Sequence, residues 1–437
     1  MKTYLKRALC IATTVGLMAP TIASATNGYF LIGFGAKSRA MGGTGVASGT
    51  SANAGFFNPS VLATAHEEEV FSLEFPIIGA RIADPDEFID AVDNFDNGNY
   101  IDSFDTARQA IDAANAANNA GALEAARQPM IDATDDLIAG LRTLNNKALI
   151  AELEVGLMIG IPSKKYGASL YVRGWVVGGT QATISPDDLT FLEDVSSSLD
   201  TLSIASDLIG DPTLGSAIDA RFAGISEVGL SLAREFDIGG HDIAIGITPK
   251  YVSVETYDFR FGDESDATTT SLDDADIDLD TGKLEDSGVD LDIGIAKDFG
   301  SGWKAGFVAK NVIGQEFKTV RGNLFEIKPQ YRAGVSHQTE WTTVAFDLDL
   351  IENDPIIKDS VTGLGFDKET QYAAVGIELD IWDTLQFRGG YRHNMSDSDT
   401  SIATAGVGFS PFGVHVDVAA AGNADEVGVS LQTGFRF

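Results

Sequence analysis

Apolar residues recur at every second position along much of this chain, the period of a β-strand with one apolar and one polar face. The last segment is the clearest. There Val427, Val429, Leu431, Thr433, Phe435 and Phe437 alternate with Glu426, Gly428, Ser430, Gln432, Gly434 and Arg436. Leu385, Phe387, Gly389 and Tyr391 alternate with Gln386, Arg388, Gly390 and Arg392. The same phase relation sets Val289, Leu291, Ile293 and Ile295 against Asp290, Asp292, Gly294 and Ala296. It also sets Val375, Ile377, Leu379 and Ile381 against Ala374, Gly376, Glu378 and Asp380. After residue 26 no stretch approaches the ~20 apolar residues of a spanning helix.

The connections between these segments alternate as well. Short turns fall at Pro162 to Gly167, Ile238 to Asp242, Phe299 to Trp303, His337 to Trp341, Ile381 to Thr384 and Ser410 to Gly413. Long polar loops fall near 184 to 224, 262 to 287, 313 to 326, 351 to 367 and 393 to 400. A soluble β-sandwich has no reason to lengthen every second connection, whereas an outer-membrane barrel has short periplasmic turns and long outer loops. Counting strands from Glu69 onward gives about 14, an even number that places both chain ends on the periplasmic side. The expected fold is therefore an all-β transmembrane antiparallel barrel over residues 67–437, with a soluble secreted β protein as the alternative.

Two regions break the pattern. Residues 26–66 are rich in Gly, Ala, Ser and Asn without a strand period; such a segment before the first strand fits a hatch that plugs the lumen. From 84 to 147 the period changes. Phe88, Val92 and Phe95, then Phe104, Ala107 and Ile111, then Leu137, Leu141 and Leu144 recur at helical spacing. This predicts a helical insertion in the first outer loop, broken at Pro129.

The N-terminus supplies the compartment. Lys2, Lys6 and Arg7 precede an apolar run from Ala8 to Met18, and Ala23-Ser24-Ala25 is an A-x-A cleavage signal. Residues 1–25 read as a signal peptide removed after Ala25, which carries away Cys10, the one cysteine. That directs the protein to the cell outer membrane of a Gram-negative bacterium. A formal charge of −34 excludes a nucleic-acid binder that relies on a basic surface. No disulfide framework or cysteine-ligated metal site can be built.

The stretch TNGYFLIGFGAKSRAMGGTGVAS, followed by SANAGFFNPSVLA, resembles the hatch of FadL-type outer-membrane transporters for hydrophobic compounds. It is more similar still to the TraF-type, conjugal-transfer relatives of that superfamily. The matching positions are Gly33, Gly35, the Arg39 to Gly45 stretch and Asn58-Pro59-Ser60, where Ser60 stands in place of the usual Ala. The resemblance implies a plugged 14-stranded barrel and leaves the substrate open.

Candidate chemistry is sparse. His66, His241, His337, His393 and His415 are scattered, and no G-x-S-x-G element occurs, so no enzyme activity and no cofactor are expected. Phe56, Phe57, Asn58 and Pro59, where the hatch meets the first strand, are the gate candidates. Arg332, Arg388, Arg392, His415 and Asp417 fall on lumen phases of their strands. Asp274, Asp276 and Asp278 invite a weak divalent cation, but Gly282 sits one position late for a calcium-loop turn and Ser287 replaces the final Glu, so a solvated strand extension competes. The functional expectation is transport of small hydrophobic, fatty-acid-like molecules through a hatch-gated lumen. A structural or interaction protein of a conjugal-transfer or cell-surface apparatus is the alternative. Two contents of the lumen separate them: a continuous apolar pocket beside the hatch, or a filling of charged pairs. The expected partners are outer-membrane lipid and lipopolysaccharide, the barrel assembly machinery and a small hydrophobic ligand.

Overall fold

The computed structural model describes residues 34–64, 70–200, 215–262, 279–354, 357–358 and 369–437. The signal segment, Gly33, His66 and the acidic positions Asp274, Asp276 and Asp278 lie outside the described residues.

The first described residues lie inside the barrel. Helix α1 (Ala36–Ala40), helix α2 (Ala54–Phe57) and a 3-10 turn (Pro59–Ala63) form the described part of the hatch, buried almost throughout. The wall opens with β1 (Ser72–Ala83). Three helices follow, α3 (Phe88–Asn97), α4 (Tyr100–Ala116) and α5 (Ala120–Leu144). Next come β2 (Ala148–Ile161), β3 (Gly167–Thr183) and helix α6 (Pro186–Asp200). The wall continues through β4 (Ala217–Asp237), β5 (Asp242–Phe261), β6 (Lys283–Gly300) and β7 (Trp303–Lys310). Short strands β8 (Gln315–Lys318) and β9 (Leu324–Ile327) precede β10 (Gln330–Gln338) and β11 (Thr342–Asp349). After β12 (Ile357–Lys358) the wall is completed by β13 (Tyr372–Ile381), β14 (Leu385–Asn394), β15 (Ile402–Phe409), β16 (Val414–Gly422) and β17 (Glu426–Arg436).

Fourteen of these strands close into one barrel, each antiparallel to its neighbours, with β1 against both β2 and β17; β8, β9 and β12 form a separate small sheet. The seam is zipped to its end. Phe437 N–H donates to Phe71 O at 2.9 Å, and Phe437 O accepts from the N–H groups of Val70 and Phe71 at 2.6 and 2.9 Å. Closure removes the unpaired edge that a lipid environment would not tolerate. The alternation sorts the faces as expected: Val427, Val429, Leu431 and Phe435 are exposed on the outer surface, while Ser430 and Gln432 are buried inside. Among the described residues no helix is long and apolar enough to cross a membrane.

The structure corrects four expectations. Pro129 lies inside α5 without ending it. The lost N–H bond is outweighed by packing, since Ala126, Met130 and Ala133 are buried against Ala107 and Ile111 of α4 and Val195 and Leu199 of α6. The loop near 184 to 224 is shorter, because β4 begins at Ala217. Its first residues, 217–225, are buried on both faces, so no polar alternation marks them. The loops near 313 to 326 and 351 to 367 contain the strands of the small sheet. His337 belongs to β10, its ring 4.5 Å from that of Trp303, rather than to the turn after it. One outer connection also departs from the long-loop rule: β16 and β17 join through residues 423–425, where Asn423 Oδ1 accepts from the N–H groups of Asp425 and Glu426.

Candidate functional site: a hatch held in an ion-paired lumen

The 3-10 turn packs on β3 to β6 and α1 on β14 to β17, so the hatch bridges opposite walls. Asn58 is its local organiser. Its backbone is extended (φ −157°, ψ 105°), the conformation favoured before Pro59. Its amide Nδ2 donates to Val46 O at 2.9 Å, and its Oδ1 accepts from Ser60 N at 3.2 Å and Ser60 Oγ at 2.6 Å. Ser60, the departure from Ala, thus adds a hydrogen bond to the turn. The wall yields space at the contact: a Cβ added at Gly246 would stand 2.5 Å from both Pro59 C and Ser60 N, and one at Gly294 would overlap the Asn58 side chain.

Wall side chains bind hatch backbone at several points. Asp347 Oδ2 accepts from the N–H groups of Gly45 and Val46 at 2.8 and 3.0 Å. Thr404 Oγ1 donates to Ala40 O at 2.9 Å and accepts from Gly42 N. Lys304 Nζ donates to Thr64 O at 2.7 Å. Lys310 Nζ donates to Phe56 O and lies 4.2 Å from the centre of the Phe56 ring. A buried ammonium needs such partners, since desolvation disfavours it otherwise.

All five lumen residues chosen from sequence are buried inside the barrel. Arg388 joins Glu378 (2.5 Å) and Asp417. His415 stands between Asp417 (2.7 Å) and Glu74 (2.9 Å), and Lys37 of the hatch reaches Glu378 at 2.9 Å. Arg332 pairs with Asp349 at 2.6 Å. Arg392 lies 4.7 Å above the Tyr372 ring and 4.0 Å from Glu426. His415 is therefore one link in a chain of ion pairs from the wall to the hatch. A second network was not foreseen. Lys250 contacts Asp292 at 2.8 Å and Glu227 at 3.2 Å, Lys310 contacts Asp292 at 3.4 Å, and Tyr171 donates to Glu227. Asp292 stood on the polar phase of its strand, but its partners lie on β4, β5 and β7, which alternation alone does not bring together.

Phe56 and Phe57 face the other component of the lumen. With Phe34 they join Tyr171, Trp175, Val177, Ile225, Val252 and Val254 in one apolar cluster on the β3 to β5 side. Phe56 packs edge-on against Phe57 and Tyr171, at 5.0 and 6.0 Å between ring centres. Arg173 borders the cluster, 4.9 Å from the Phe56 ring centre and 5.0 Å from that of Trp175. From the outer side the β8–β9 hairpin adds Phe317, Phe325 and Ile327. Asp258, on the lumen side of β5, holds this hairpin by accepting from Thr319 Oγ1 at 2.5 Å and Asn323 Nδ2 at 2.8 Å. At the opposite, periplasmic end a cavity of about 510 Å³ is polar, lined among others by Lys37, Ser51, Lys304, Asp380, His415 and Arg436. Of the two lumen fillings weighed from sequence, the charged pairs are present, and where a continuous apolar pocket was expected the hatch meets a packed cluster of buried apolar side chains. The apolar cluster occupies one side of the hatch, and ion pairs line the rest.

Residues 55–349 match the model of the F plasmid transfer operon TraF protein family. The chain belongs to the TraF family. No curated protein sequence matches this TraF-family chain. Among solved structures it is similar to the toluene transporter TbuX of Ralstonia pickettii, with 13% identity over 94% of this chain and 100% of that one and a TM-score of 0.51. It is also similar to the toluene transporter TodX of P. putida (11% identity, 93% and 99% covered, TM-score 0.46). The monoaromatic hydrocarbon channel CymD gives 12% identity, 93% and 98% covered, and a TM-score of 0.41. The TbuX likeness is one of fold alone. Among the described residues no group of three or more His, Cys, Asp or Glu is arranged to hold a metal ion.

Proposed function

We propose that this protein is a non-enzymatic outer-membrane barrel that passes small hydrophobic molecules, entering between the β8–β9 hairpin and the wall and crossing beside the hatch. The observation that carries the reading is the aromatic and aliphatic cluster between Phe56 and Phe325. Among the described residues of the lumen it is the aromatic surface beside the hatch, and an apolar solute would enter against it with gain. The likeness in fold to the toluene transporter TbuX supports a small apolar cargo over a fatty acid. Phe56 and Phe57 would form the inner wall of the path, with Asn58 and Pro59 holding them in place. Targeting by a cleaved signal and insertion by the barrel assembly machinery belong to the same reading.

A second reading, a structural component of a conjugal-transfer apparatus, is favoured by the charged wall groups that tie the hatch down from two sides: Glu378 on Lys37, Asp347 on the Gly45 N–H and Lys310 on Phe56 O. Proteoliposomes separate the two. Wild-type protein should take up an apolar fluorescent probe, and Trp175→Glu, which places a charge in the cluster, should abolish most of that uptake while the barrel still folds. Absence of uptake by the intact, folded protein would favour the assembly reading.

A further inference from the structure

The acidic balance of the chain is reversed on one strip of its outer surface. At the short-turn end of β4 and β6, alternation sorts the charges. Arg234 lies on the outward phase with Val228, Leu230, Leu232 and Phe236, all exposed. Lys297 lies on the outward phase with Ile295 and Phe299, both exposed. The neighbouring acids Glu235 and Asp237 of β4, Asp242 of β5 and Asp298 of β6 fall on the opposite, inward phase of their strands. Asp237 and Asp298 are further occupied by turn N–H groups, of Gly240 and Gly300 respectively.

Both cations are set against aromatic faces. The Arg234 guanidinium is 5.3 Å from the Tyr166 ring centre and 5.4 Å from that of Phe236, and Lys297 Nζ is 5.4 Å from that of Phe299. Such stacking holds a cation at the membrane interface while leaving its N–H donors available. Register places Arg234 beside Ile245, and Ile245 beside Ile295. One apolar strand therefore separates the two cations, about 10 Å across the sheet, with Lys297 two residues nearer the turn than Ile295, so their backbones stand about 12 Å apart. Elsewhere around the same rim the outward positions include Ile161, Trp303, His337, Thr342, Ile381, Leu385, Phe409, Val414 and Phe435, without a Lys or Arg among the described wall strands.

We propose that the β4–β6 rim binds an anionic phospholipid of the periplasmic leaflet, its phosphate held by Arg234 and Lys297 and its acyl chains on Leu232, Ile245 and Ile295. The inference rests on the outer-membrane reading above. Charge complementarity selects the ligand: a lipid-facing pair of cations, apart from the carboxylates of its own strands, matches a phosphodiester above an apolar wall. The short-turn end, which faces the periplasm, selects phospholipid over lipopolysaccharide, which belongs to the other leaflet.

The test uses the full barrel in mixed micelles with equal phosphatidylglycerol and phosphatidylcholine, the retained lipids being counted by native mass spectrometry. Wild type should retain phosphatidylglycerol preferentially. Arg234→Gln and Lys297→Gln should each reduce the preference about fivefold, and Arg234→Lys with Lys297→Arg should keep it. Equal retention of the two lipids by wild type, or a preference untouched by the double Gln variant, would overturn the proposal. Heat-modifiable gel mobility, read on the same samples, reports barrel formation separately, so failure of the membrane reading and failure of the lipid site give different results.

Discussion

Asp292 shows how much one residue holds in this lumen. It is fully enclosed, with Lys250 at 2.8 Å, Lys310 at 3.4 Å and the Asn311 N–H at 2.8 Å. Lys310 in turn reaches the hatch carbonyl of Phe56. Removing the carboxylate leaves two ammonium groups buried without their shared anion, and breaking a buried pair in this way costs far more than losing an exposed one. Asp292→Ala should destabilise the barrel by about 3–5 kcal/mol, measured by urea unfolding in lipid micelles. Glu285→Ala, which removes the 2.5 Å contact to Lys283 at an exposed rim position, should cost about 0–1 kcal/mol. Similar costs at the two sites would refute the view that the lumen network is dry and load-sharing.

At the scale of elements, the contact between the 3-10 turn and the wall depends on β5 and β6 presenting backbone rather than side chains. Gly246 faces Pro59 and Ser60 so closely that any Cβ must displace hatch backbone, which cannot rotate aside as a flexible side chain would. Gly246→Ala should therefore loosen the hatch while the strand, with its ladder bonds to β4 and β6, stays formed. The expected result is faster leakage of a small polar solute through proteoliposomes with unchanged heat-modifiable mobility. Leakage equal to wild type would place the seal elsewhere, for instance at the β8–β9 hairpin. The helices of the insertion behave differently. Phe88, Val92, Phe95, Leu137 and Leu141 form an apolar core among themselves, joined to the outer ends of β2 and β3 through Leu149 and Ala182. A second core, of Ala126, Met130 and Ala133 against Ala107, Ile111, Val195 and Leu199, is what lets Pro129 sit within α5.

For the whole molecule the decisive event is closure. Thirteen wall pairs are hairpins or connected neighbours in chain order, but β1 and β17 are separated by the entire barrel. The seam closes the longest loop in the wall and so carries its largest chain-entropy cost. Its periplasmic end depends on backbone bonds from Phe437 to Val70 and Phe71. Removing Phe437 should lower the fraction of heat-modifiable, protease-resistant barrel in outer-membrane preparations, with unfolded chain accumulating in the periplasm. A truncated chain that inserts at the wild-type level would mean that these bonds are dispensable for closure.

Much of this was legible in the residues because a barrel strand encodes its own facing. The period of two placed Val427, Val429 and Leu431 toward lipid and Arg332, Arg388, Arg392, His415 and Asp417 inside, and the short turns supplied the strand count and the periplasmic side. Helical spacing in the same way marked Phe88 to Leu144, and Asn58-Pro59 fixed an extended bend within the hatch. These are local properties, set by the pleat and by the steric demand of proline. Partnerships were not local. Lys310 and Phe56 are 254 positions apart, and Lys37 and Glu378 are 341 apart. Period fixes a side chain's face but not its height or its opposite number, so the Asp292 network, the β8–β9–β12 sheet and the doubly buried start of β4 emerged only with the register of the closed barrel. The same register set Arg234 and Lys297 one strand apart on the lipid face, because only neighbouring strands in their final stagger convert two isolated cations into one surface.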